Sequence, residues 1–74
     1  MNRSDWLKSV GGAIRKWRER RGMSQVDLAC AMGIGNVVQC RRERGFVDIP
    51  TWTLAEYAAL LGVNPRRLLP DKPK

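Results

Sequence analysis

Residues 24–45 read S-Q-V-D-L-A-C-A-M-G-I-G-N-V-V-Q-C-R-R-E-R-G, and this stretch decides the fold. Ser24 stands three residues before Asp27, the spacing in which a hydroxyl caps a helix while an acid reaches back to the cap. The helix opened there carries Val26, Leu28, Ala29 and Met32, and it meets Gly33 after only about two turns. A Gly33-Ile34-Gly35 link follows, and Asn36 to Arg44 reads as another helix, closed by Gly45. Two short helices joined by a tight glycine-containing turn form a helix-turn-helix unit.

Upstream, a first helix is expected from about Asp5 to Arg21, capped by Ser4 or Asp5. Trp6, Leu7, Val10, Ile14 and Trp17 recur along it at three- and four-residue steps. Gly11 and Gly12 weaken its middle by roughly 1 kcal/mol each relative to Ala. Residues 1–11 are therefore an N-terminal arm or the start of that helix, and the domain proper spans 12–69. Gly22 ends the helix after an Arg-rich turn that suits its negative end.

Downstream, Phe46 to Pro50 is a loop, and Thr51 is expected to cap a fourth helix closed by Gly62. Trp52, Leu54, Tyr57, Ala58 and Leu61 lie along one side of it, with Trp17 and Trp52 expected in the core. Asn64-Pro65, a capping residue followed by proline at the first helical position, opens a short fifth helix to Leu69. Residues 70–74 read as a disordered tail. With no strand signal, the fold class is all-α: one compact domain of five helices.

The 74 residues carry 14 Lys and Arg against 7 Asp and Glu, a net charge of +7, and ten of the cations are Arg. That excess attracts polyanions, and guanidinium is the group suited to phosphate and to guanine. Cys30 and Cys40 lie ten apart and there is no His, so a four-ligand zinc site cannot close. No apolar run nears the 18 residues of a membrane span, and no signal-peptide core opens the chain. A cytoplasmic protein with no metal, cofactor or small-molecule ligand is expected. Lacking His, a phosphate loop and paired carboxylates, the chain does not read as an enzyme.

From Ile14 to Leu69 the sequence resembles the lambda repressor and Cro-type helix-turn-helix family, also called the Xre family. The residues that carry the resemblance are I-R-K-W-R-E-R-R-G-M-S-Q-V-D-L-A at 14–29, G-I at 33–34, E-R-G at 43–45 and L-A-E-Y-A-A-L-L-G-V at 54–63. The resemblance implies a transcriptional regulator, repressor or controller, that reads the major groove of double-stranded DNA with the helix at about 36–44. Asn36, Val37, Cys40 and Arg41 would face the bases, with Val38 at the edge. Ser24, Gln25, Gly35 and Arg44 would meet phosphates. Arg18 and Glu43 match an ion pair that ties the first helix to the end of the reading helix. Their side-chain chemistry agrees: Arg41 matches guanine, Asn36 adenine, and Val37 a thymine methyl.

One departure stands out. Where the family has two inward apolar residues, this chain has Gln39 and Arg42. Three arrangements accommodate this. In the first the Arg42 stem packs while its charge reaches out, in the second the helix is rotated so that Val38 faces inward, and in the third the helix orders only on binding. The rotation is expected. The partner implied is a palindromic operator read by a homodimer, and Val63, Leu68 and Leu69 are candidates for the dimer surface or for the chain's own core. The competing reading is an antitoxin or adaptor that uses the same fold to hold another protein, with Trp6 and Trp52 as anchors.

Overall fold

A computed structural model describes residues 1–70. Among them are four α-helices: α1 (Arg3–Arg20), α2 (Gln25–Met32), α3 (Asn36–Arg44) and α4 (Thr51–Leu61). The expected fifth helix is a single 3₁₀ turn, Pro65–Leu68. Asn64 caps it and Pro65 opens it as expected, but Leu69 is already extended, leaving no length for an α-helical turn. The architecture is thus all-α with four helices rather than five. The expected tail, apart from Pro70, lies outside the described residues.

The core joins Val10 and Ile14 of α1, Leu28 and Ala29 of α2, Leu54, Tyr57, Ala58 and Leu61 of α4, and Leu68 of the 3₁₀ turn. Burying one such aliphatic side chain is worth about 1.5–3 kcal/mol, so these residues weld α1, α2 and α4 into one body. Leu68 is fully enclosed and Val63 packs against the same cluster, which leaves Leu69 as the exposed member of the trio considered for a dimer surface. Arg21 donates from Nε to the Leu61 carbonyl at 2.7 Å, where the end of α4 presents unpaired acceptors.

α1 runs without a break through Gly11 and Gly12, starting from an Asn2 cap whose side chain accepts the Asp5 amide at 2.8 Å. The two glycines do not mark an arm. A Cβ at Gly11 would lie 2.3 Å from the Arg42 carbonyl oxygen and 2.6 Å from that of Glu43. Bare backbone there lets α1 rest directly on the last turn of α3. Gly45 completes the crossing: at φ 77° it adopts the left-handed conformation that glycine tolerates, and its missing Cβ faces the backbone of Lys8. Arg3 pairs with Asp48 at the outer edge of this contact.

Trp52 does not join the core; it is 70% exposed. The inward side of α4 is Thr53, Leu54, Tyr57, Ala58 and Leu61, a stripe one residue out of step with Trp52. The α4 N-cap is Pro50, with no side-chain cap bond, so Thr51 is the first helical residue. Trp17 is half-buried, with the Arg20 guanidinium 4.9 Å from its ring centre.

Candidate functional site

The helix-turn-helix is α2, the Gly33–Gly35 link and α3. At its entrance the Ser24–Asp27 capping box is complete: Ser24 Oγ accepts the Asp27 amide at 3.0 Å, and Asp27 Oδ2 accepts the Ser24 amide at 2.9 Å. Those bonds hold the Asp27 carboxyl below the usual carboxylate range, the Ser24 amide contributing most. The Ser24 amide is therefore engaged within the chain.

α3 divides into two sides. Val37, Arg41 and Arg44 point outward, Asn36 is exposed at the helix start, and Cys40 is half-buried beside them. Asn36 does not cap the helix; Gly35 is the N-cap and no side-chain cap bond forms. The Asn36 carboxamide is thus available to a ligand. Arg41 makes no ion pair among the described residues.

The inner side carries Gln39, wholly enclosed, and Glu43, with Arg42 half-buried next to them. This corrects the expected rotation: Val38 is 41% exposed and Gln39 faces inward in its place. What makes this tolerable is a partner for every polar atom. Tyr57 donates its hydroxyl to Gln39 Oε1 at 2.6 Å, and Gln39 Nε2 donates to Glu43 Oε2 at 2.7 Å. The Arg42 stem packs, as in the first of the three arrangements, but its Nη1 donates to the Tyr57 hydroxyl at 3.2 Å.

Arg18 and Glu43 form the ion pair the resemblance implied. Arg18 Nε donates to Oε2 at 2.8 Å and Nη2 to Oε1 at 3.0 Å, a two-pronged contact. Arg18 Nη1 also donates to the Met23 carbonyl at 2.9 Å, fixing the chain as it leaves α1. Burial alone would push the Glu43 carboxyl up, but hydrogen bonds from Arg18, Gln39 and Gln25 and the Arg18 charge together outweigh it and hold it low. Its hydrogen bond to Glu43 raises the Arg18 pKa. Burial pushes the Tyr57 hydroxyl up against the opposing influence of Arg42, so it stays protonated and able to donate.

Gln25, the first residue of α2, donates from Nε2 to Glu43 Oε1 at 3.3 Å. A carboxamide nitrogen carries two hydrogens, so a second donor remains. It borders a cleft of about 230 Å³ lined by Arg15, Arg18, Gln25, Cys40, Glu43 and Arg44. The cleft brings together Gln25 and Arg44, expected at phosphates, and Cys40, expected at bases. Sequence reading missed Arg15, whose signal was a cation three residues before Arg18 on the same side of α1. It also missed Tyr57 as the partner of Gln39, although a buried tyrosine calls for a partner at its polar tip.

No family model matches the chain, and no curated protein matches it in sequence. Solved structures do. The DNA-binding domain of BldD is 30% identical with a TM-score of 0.82, over 95% of this chain and all of that one. The restriction-modification controller protein C.AhdI from Aeromonas hydrophila is 28% identical with a TM-score of 0.78, over 85% of this chain and 96% of that one. A hypothetical transcription factor, NHTF, from Neisseria is 27% identical with a TM-score of 0.82, over 95% of this chain and 80% of that one. With 30% identity to the BldD domain over nearly the whole of both chains, and with the Arg18–Glu43 tie that its sequence resemblance implied, the chain belongs to the lambda repressor and Cro-type helix-turn-helix family.

Proposed function

We propose that the protein is a transcriptional regulator that binds double-stranded DNA in a sequence-specific manner, with α3 entering the major groove. The observation that carries this reading is the outward side of α3, where Arg41 and Asn36 stand exposed and unspent beside the arginine-lined cleft. Arg41 and Asn36 read base edges, Val37 meets a thymine methyl, and Cys40 lies at the groove wall. Gln25 and Arg44, with Arg15 beside them, hold phosphates, helped by Ser24, Gly35 and the free amides at the start of α2. The operator is palindromic and is read by two copies, with half-sites about one helical turn apart.

The test is a mobility shift with duplexes enriched from a random library, across a salt series. For 6–10 phosphate contacts by a dimer, affinity falls about 10³–10⁵-fold between 50 and 200 mM salt. Arg41→Ala removes sequence preference while nonspecific binding stays. An equal loss on every duplex would make Arg41 a backbone contact instead. A second reading, an antitoxin or adaptor, is favoured by one observation: Trp52 and Phe46 are 70% and 63% exposed. A stoichiometric protein partner and no shift of any duplex would select it.

A further inference from the structure

α3 gives the core no apolar side chain; its buried residues are Gln39 and Glu43. Apolar burial is non-directional, so a helix anchored that way tolerates small rolls about its axis. Hydrogen bonds weaken steeply once misaligned. Here one chain of them runs from Tyr57 of α4 through Gln39 and Glu43 of α3 to Gln25 at the start of α2 and Arg18 of α1. Arg42 closes it by donating to the Tyr57 hydroxyl. Among the described residues no buried side-chain nitrogen or oxygen lacks a partner. A roll of α3 in either direction breaks several of these bonds together.

We infer that Gln39, with Tyr57 and Arg42, is a positioning set that fixes the roll of α3 and so governs discrimination between DNA sequences. This rests on the DNA-binding reading above. A roll of about 20° moves a side chain at the helix surface by roughly 2 Å, while a productive site needs its groups held within about 0.5 Å. Stability alone does not account for the set, since matched apolar replacements of buried polar groups are often neutral or stabilising. Gln39 and Tyr57 are enclosed, so their influence on a ligand passes through α3.

The test replaces both ends of the buried pair in the full chain, as Q39M with Y57F. Glu43 then keeps Arg18 and Gln25, and Arg42 turns to water. Two probes are compared across a salt series: a duplex enriched from a random library by the native chain, and a scrambled duplex of equal length and composition. The expected ratio of the two affinities falls about tenfold, the loss of one well-aimed base contact. The salt slope, the scrambled-duplex affinity and the thermal midpoint stay near native values. An unchanged ratio overturns the inference, as does a parallel loss on both duplexes together with a lowered midpoint, which marks the set as structural only. Should the double variant fail to fold, Y57F alone is read by the affinity ratio, measured well below its midpoint, because the stranded Gln39 carbonyl lowers that midpoint by itself. A native chain that prefers no duplex overturns the regulator reading and the inference with it, whereas native discrimination retained by the variant overturns the inference alone.

Discussion

Gly11 and Gly12 are neighbours in one helix, yet alanine at the two positions should act with opposite signs. Gly12 is exposed and a Cβ there meets nothing within 4 Å. Gly12→Ala therefore gains helix propensity alone, about 1 kcal/mol. At Gly11 the same propensity gain applies, but the new Cβ lands 2.3 Å and 2.6 Å from two backbone carbonyl oxygens of α3. Backbone cannot swing aside as a long side chain does, so α1 and α3 must separate by roughly 1 Å, at the upper end of the about 1–3 kcal/mol typical of overpacking. The net cost is about 2 kcal/mol. At about 4–8 °C per kcal/mol for a domain of this size, Gly12→Ala raises the melting midpoint by about 4–8 °C and Gly11→Ala lowers it by about 8–16 °C. Thermal unfolding followed by circular dichroism reads both. Midpoints that rise together would show that α1 does not rest on the α3 carbonyls.

Glu43 binds its proton less readily in the folded chain than in the unfolded one. Its contribution is therefore full above the ordinary Glu value of about 4.3 and drains away as pH falls from there toward the folded pKa. Glu43→Gln costs about 3 kcal/mol at pH 7, the low end for a broken buried pair because Gln still bonds Arg18, and flattens that acid limb; parallel pH profiles in urea unfolding would refute this. Trp52→Ser changes stability by no more than about 0.5 kcal/mol, as for a surface site away from packing, and a loss of several kcal/mol on denaturation would return Trp52 to the core. Asn2→Ala removes the α1 cap and costs about 1 kcal/mol, checked by urea midpoint; no change would mean that the first turn of α1 contributes nothing to stability.

Local signals served well where local physics decides. The Ser24–Asp27 capping box, the bounds of α3 and the glycines that close α2, α3 and α4 were all legible, because each depends on residues three or four apart. What escaped depends on distant partners. Gly11 reads as a helix breaker until the last turn of α3 is placed against it. Trp52 is the largest apolar residue near the start of α4, but the helix is set by the stripe from Thr53 to Leu61, and size does not override register. Gln39 looked too polar for the interior because its partner, the Tyr57 hydroxyl, lies 18 residues away on another helix. The fifth helix failed for want of length. Of the site, the Arg18–Glu43 tie could be read from the resemblance, whereas the spacing of Arg15 from Arg18 acquires its meaning once α1, α2 and α3 enclose one cleft.

The separation of α3 into two sides has a consequence for how this protein changes over time. Asn36, Val37, Arg41 and Arg44 share no bond with the enclosed trio of Gln39, Glu43 and Tyr57. Under the DNA-binding reading proposed above, target preference can therefore be redesigned at Asn36, Val37 and Arg41 without a folding penalty to compensate elsewhere. The enclosed trio is a poor place for single substitutions, since a change to one member strands another, and new variants there are expected to arise in matched pairs.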